Sequence, residues 1–366
     1  ANVSGWFPMF PRVSTVCLAA VLLAAAAPEA RGQDAGELGQ ADALRRHHPG
    51  LYDLLGRLES AHGVLFGELA SEGESVRASG GEVPTPGFEA DLVGRLTSLV
   101  QGEEGSAEVA GVADAGYEAL GSRTAGIIRW GHAFQREVLS ILADPAVTDR
   151  NAALSAAVGV YRGRAEAALP NVPKNMDVLY GHPYALAFRT GYPDLDGLLW
   201  AGHWLRLATT EPLTDLPPGP DRLAGVDTVA TRHHAKLSHG EPPQSFPSEL
   251  PLAPAIAPGF IWLSPESAMI WDNLSMLLEV VADVLASPGA VDAPGAVDAA
   301  VDFFMEADRA VTDQDEWEIM ALRHGIFFQG GFPLAVMTEN ERNSSGHAAH
   351  LAGGRRLMAI PGMPRR

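Results

Sequence analysis

Residues 49–69 read Pro-Gly-Leu-Tyr-Asp-Leu-Leu-Gly-Arg-Leu-Glu-Ser-Ala-His-Gly-Val-Leu-Phe-Gly-Glu-Leu. Leu51, Leu55, Leu58, His62, Leu65 and Leu69 recur at spacings of four, three, four, three and four. That alternation is the seam of an α-helix, with one apolar stripe turned to a core. Pro49 suits the first turn, where its missing N–H is not needed. The same rhythm returns along the chain and sets the fold class.

A second helix is expected from Pro86, capped by Thr85, with Phe88, Leu92, Leu96 and Leu99 on one face. A long third runs from about Glu108 to Ala143 through Leu120, Ile127, Phe134 and Val138, and Asp144-Pro145 ends it. Asp149 or Asn151 caps a fourth, carrying Leu154, Val158, Tyr161 and Leu169. Short loops between amphipathic helices predict an up-and-down bundle over residues 33–170. Asn171-Val172-Pro173-Lys174 marks a boundary. Residues 171–366 read as a more irregular helical region. Its prolines at 242, 243, 247, 251, 254 and 258 predict an extended surface excursion over 242–258. Ser264-Pro265-Glu266 opens the most hydrophobic helix, with Asp272, Glu279 and Asp283 along its expected solvated side. Strand alternation is scarce, so the chain is expected to be all-α.

The first 32 residues have the order of a secretory signal peptide. Arg12 precedes an apolar run over 16–27, and Ala30-Arg31-Gly32 supplies small residues for cleavage. Twelve apolar residues fall short of the roughly 20 that span a bilayer. A periplasmic or secreted location follows as an expectation. Cys17 is the only cysteine and lies in this leader, so the mature chain would have no disulfide, thiolate ligand or cysteine nucleophile. The whole sequence carries a net charge of −19, and removing Arg12, Arg31 and Glu29 makes it −20. Such a chain repels phosphate backbones and anionic headgroups, which excludes nucleic-acid binding as its main role. No later apolar run approaches membrane length, so no membrane insertion is expected after cleavage.

The common chemical motifs are missing: G-x-G-x-x-G, Walker A, H-E-x-x-H, G-x-S-x-G and C-x-x-C-H. Twelve histidines remain as the chemical resource. His62 occupies a leucine position on the first seam, with Glu59 one turn before it. A Glu-x-x-His pair is half of a helical-bundle di-metal motif, and no second pair is found. With His132 and Glu118 from the third helix, Glu59 and His62 form a candidate site for a transition metal ion. The plain alternative is a hydrogen-bonded core histidine beside solvated glutamates. A second candidate is a small-ligand pocket built from Tyr180, His182, Asp196, Trp200 and His203, whose aromatic and polar mixture also suits helix packing. His233, His234 and His239 at a helix end, and His347 and His350 near the tail, are weaker clusters. The function these residues predict is binding of a metal or small ligand through histidines and carboxylates. The alternative is a non-catalytic envelope module that binds a protein partner, with the proline-rich segment as the contact.

Overall fold

The computed structural model describes residues 38, 42–80, 85–102, 106–238 and 250–325. Among these residues there are fifteen helices and no strand; the only extended pairing is an isolated antiparallel bridge between Lys174 and Val311. The chain is all-α. The leader, residues 242–249, His239, His347 and His350 lie outside the described residues.

The first half gives α1 (Asp42–His47), α2 (Pro49–Ser79), α3 (Phe88–Gln101), α4 (Ser106–Glu118), α5 (Ser122–Ala143) and α6 (Arg150–Arg162). The second half gives α7 (Val178–Gly181), α8 (Ala187–Gly191), α9 (Pro193–Asp215), α10 (Pro220–Ser238), α11 (Ala253–Ile256) and α12 (Pro258–Leu263). It closes with α13 (Pro265–Ala286), α14 (Ala293–Met305) and α15 (Gln314–Gly325). No described helix is long and apolar enough to cross a membrane.

The expected seam exists. Leu51, Leu55, Leu58, His62, Leu65 and Leu69 are all buried on α2. The expected third helix is two helices. Gly121, at φ 87°, takes a backbone conformation that side chains disfavour and that breaks the helix between α4 and α5. α2 and α4 then meet almost backbone to backbone: a Cβ on Gly67 would stand 2.7 Å from Gly116 Cα. Asp149 caps α6 as expected, accepting from Ala152 N at 3.0 Å. At α15 the cap is Asp313, which accepts from Glu316 N at 2.8 Å.

α13 organises the core. Every residue from Ser267 to Ala286 is buried, acids included. The expected solvated side of Asp272, Glu279 and Asp283 is therefore corrected: the three carboxyls face protein on all sides. Each serves as an internal tie. Asp272 accepts from Ala253 N of α11 at 2.9 Å and from Trp317 Nε1 of α15 at 3.0 Å. Asn273 donates to Pro170 O and Val172 O, both at 2.8 Å, and accepts from Lys174 N at 3.2 Å. Helices from both halves of the chain, from Leu44 on α1 to Trp317 on α15, share one hydrophobic core.

The proline-rich segment also departs from expectation where it is described. Leu250, Leu252, Ala253, Ala255, Ile256 and Ala257 are buried, and residues 253–263 form α11 and α12. Pro254 and Pro258 sit in first turns, where proline starts a helix as readily as it breaks one. Glu211 of α9 receives α12, accepting from Gly259 N at 3.0 Å and Phe260 N at 3.3 Å.

Burial pushes the Asp272 carboxyl up to about 8 and, helped by Asp215, the Glu211 carboxyl up to about 7. Both groups bind more protons folded than unfolded, so their stabilisation is complete below about pH 4 and is lost as pH rises through those values. Denaturant unfolding between pH 5 and pH 8 should show stability falling by up to about 6 kcal/mol, more than half of it from Asp272. Asp272→Asn should flatten most of that slope. A wild type equally stable across the range would overturn this account.

Candidate functional site

Four helices deliver polar side chains to one place in the core. α2 supplies Glu59 and His62, one turn apart. α5 supplies Arg129, His132 and Arg136, on one face. α9 supplies His203 and Arg206, and α4 supplies Tyr117. His62 lies between two other imidazoles, with ring centroids 5.6 Å from His132 and 5.7 Å from His203. All three rings are 3 % exposed. Gly202 on α9 leaves room for the first of them: a Cβ there would stand 3.4 Å from His62 Nε2 and 3.7 Å from Arg206 Nη1.

The chamber is short of partners. Both ring nitrogens of His62, both of His203 and Nε2 of His132 are buried without a hydrogen-bond partner. So is Nη2 of Arg206, which is 2 % exposed and whose Nη1 donates to Gly202 O at 3.3 Å. Buried polar atoms in folded proteins are paired in about nine cases of ten. Six orphans in one chamber therefore mark it as unusual.

Burial pushes the imidazoles of His62 and His132 well down, and the nearby Arg206 charge pushes them further. The same causes bring His203 to about 3. All three rings are therefore neutral near pH 7. The fixed charges are the guanidinium groups of Arg206 and Arg136 and the carboxylate of Glu59. Glu59 is ion-paired to Arg136. The interior of the chamber thus holds one positive charge more than it has negative ones. Toward the surface, a cavity of about 280 Å³ is lined by Glu59, Ser60, Tyr117, Arg129, His132 and Arg136 among others. Tyr117 Oη donates to the Glu59 carbonyl at 2.7 Å. Burial, with Glu59 nearby, raises the Tyr117 phenol and keeps it protonated.

The proposed metal set is only partly assembled. Glu59, His62 and His132 are neighbours, but Glu118 turns outward and pairs with Arg129 at 2.6 Å. Among the described residues, no group of three His, Asp or Glu side chains stands in a geometry that would hold a metal ion. The second predicted set is divided among separate places. His203 joins His62. Trp200 is buried in the core. Tyr180 lies under the Arg189 guanidinium, 5.3 Å from its ring centroid. Asp196 meets Glu279 in a buried carboxyl pair, where burial and the neighbouring charge hold the Asp196 proton on. Arg189 Nε donates to Glu279 at 2.9 Å. His182 is 3.2 Å from Asp283, which also accepts from Leu186 N and Phe188 N. Asp196 and His203 share a helical face, yet two turns of α9 carry them to different sites.

Sequence reasoning missed Arg206, Arg136 and Tyr117. A signal for Arg206 existed: it continues the Leu195, Leu199 and Gly202 seam of α9, where a charged residue is out of place. His233 on α10 is also fully buried.

No protein-family model, curated protein or solved structure matches the chain.

If the His62 imidazole were a structural hydrogen-bonding group, removing it would destabilise the fold. Its nitrogens have no partner to lose. His62→Leu in the ligand-free protein should leave stability unchanged or raise it by about 1 kcal/mol. A loss of more than about 2 kcal/mol in denaturant unfolding would show instead that the ring holds the core together.

Proposed function

We propose that the chain is a small-ligand-binding protein, that the chamber around His62, His132, His203 and Arg206 is its site, and that the ligand carries an oxyanion group. One observation carries this reading: a buried guanidinium with an unpaired Nη2, in a chamber whose one carboxylate is already engaged by Arg136. A buried charge without a counter-charge is costly, and an anion at Arg206 removes that cost. Guanidinium presents a planar fork that matches carboxylate or phosphate. Neutral imidazoles add N–H donors without adding charge. The cavity lined by Arg129, His132 and Arg136 supports an approach from the surface.

A second reading rests on a different observation, the five unpaired ring nitrogens. Neutral imidazole is a common transition-metal ligand. Two imidazoles sharing one ion through bonds of about 2 Å hold their centroids about 5 Å apart. The observed 5.6 and 5.7 Å are close to that spacing. Ring rotations that complete a site would break no hydrogen bond at His62 or His203. An ion bound beside Arg206 would then need an anionic co-ligand.

One titration series separates the two. Phosphate, sulfate, acetate, zinc and copper are added singly to the purified chain while the thermal midpoint is followed. An oxyanion at a hundred times its Kd should stabilise by about 2.7 kcal/mol, an effect lost in Arg206→Met. If a metal is the ligand, the metal effect is lost in His62→Leu and kept in Arg206→Met. No midpoint shift with any of the five would overturn both readings.

We further propose that the protein works outside the cytoplasm. The order of Arg12, the apolar run over 16–27 and Ala30-Arg31-Gly32 supports that location. The native protein should begin near Gln33 when its N-terminus is sequenced. Recovery of a native chain that still contains Val16 would overturn the proposal.

A further inference from the structure

Two of the described cavities border the chamber. On one side of His62 the space is about 20 Å³, lined by apolar side chains such as Leu65, Leu96 and Leu199. That is room for about one water molecule, and it offers an oxyanion no hydrogen bond besides the imidazole. On the other side lies the cavity of about 280 Å³. His132 belongs to both places: it stands in the cavity lining, and its ring centroid is 5.6 Å from that of His62. The inner wall of this cavity is therefore the outer wall of the chamber.

The Glu59–Arg136 ion pair stands in that wall. The Arg136 side chain is 28 % exposed and that of Glu59 16 %, whereas Arg206 is buried behind them. The carboxylate acts in both directions. It is bonded to Arg136. Burial pushes the Arg206 guanidinium down, and of the groups around it Glu59 opposes that most. In the ligand-free chain Glu59 thus takes the place of an anion between two guanidinium groups. Arg129, the third cation of the neighbourhood, is engaged elsewhere, by Glu118 at 2.6 Å and Asp114 at 3.2 Å. The Glu59 main chain is held from α4, where Tyr117 Oη donates to its carbonyl at 2.7 Å. Movement is left to the side chain, which borders the 280 Å³ space.

Resting on the reading of the chamber as an oxyanion site, we propose that Glu59 is its gate. An entering anion takes Arg136 from Glu59, the carboxylate swings into the cavity, and the anion passes on to Arg206. Because one anion replaces another, Arg136 is not stranded without a counter-charge during the exchange. Glu59 is then a competitor carried by the chain itself. It keeps Arg136 paired when ligand is absent, and it admits only a ligand able to replace a carboxylate.

The test is isothermal titration of the full chain with sulfate, phosphate and acetate. Glu59→Gln should bind the anion at least about tenfold more tightly than wild type. Asp114→Asn removes the same charge from the same cavity lining while Glu118 still holds Arg129, and it should change affinity by less than about twofold. Carbodiimide labelling of the wild-type chain, read by mass spectrometry, checks the movement without relying on a variant that must fold. Bound sulfate should speed the modification of Glu59 several-fold and leave Asp114 unchanged. An anion that binds wild type and Glu59→Gln equally overturns the gate and leaves the oxyanion reading standing. So does a gain in Asp114→Asn as large as that in Glu59→Gln, or Glu59 labelling that bound sulfate leaves unchanged. If none of the three anions binds either protein, the oxyanion reading falls and the gate with it.

Discussion

A helix that is buried all round must satisfy its own polar side chains, and this fold is arranged around how α13 does so. Asp272, Asn273, Glu279 and Asp283 point into protein rather than water. Each meets a polar group that other segments would otherwise leave open: the first N–H of α11 and the indole of Trp317 as donors to Asp272, the carbonyls of Pro170 and Val172 as acceptors from Asn273, the Arg189 guanidinium as donor to Glu279, and the N–H groups of the turn into α8 as donors to Asp283. These bonds are directional where hydrophobic contact is not. They fix which short helix sits where, in a region whose helices of four to six residues could not hold a shape alone. The irregular half of the chain is ordered because a regular helix runs through it and presents acceptors at set heights.

That completeness gives the chamber at His62 its meaning. Two groups of buried polar residues occur in one core. Around α13 nearly every carboxylate oxygen has a donor. Around His62, six nitrogens have no partner. Both groups come from helices of similar regularity and burial, so general looseness of packing does not explain the difference. The chamber also lies where α2, α4, α5 and α9 converge, so both halves of the chain contribute to it. Single unpaired polar atoms occur elsewhere too, at Thr124, Tyr192 and Trp271 among others, whereas six gather around His62.

The helix class was legible in the sequence because seams are local. Leu51 to Leu69 specify α2 by spacing alone, and Asp149 and Asn151, the two caps the sequence offers, mark the start of α6 to within two residues. His62 was legible for the same reason, as a polar residue on a leucine seam. Partnerships were not legible. Asp272, Glu279 and Asp283 form a polar line on an apolar helix, and in one dimension a line of acids facing water looks the same as a line facing backbone N–H groups. Glu118 shares a helix face with productive residues, yet Gly121 breaks the helix and turns that glutamate toward Arg129. Proline had the opposite ambiguity. At 254 and 258 it begins helices, although the density of prolines suggested none. His203 was assigned to Asp196 by helical phase, but phase gives direction without distance, and two turns of α9 separated them.

Three neutral imidazoles and a guanidinium are poor core-formers: each unpaired nitrogen forfeits hydration, and the guanidinium adds the larger penalty of an isolated charge. Apolar residues of similar volume would pack the same space at lower free energy. On the proposed function, the groups that make the chamber unfavourable when empty are also the groups that would make it receptive, because a ligand that paired with them would regain in the bound state what the free state lacks. The penalty is therefore a preorganisation term: the donors are held in place and already stripped of water before the ligand arrives. A surface arginine–histidine cluster would have to shed its water on binding, and much of its gain would be lost to that step. On the proposed function, depth in the core, and not the identity of the side chains alone, is what would give these four residues their affinity for an anion.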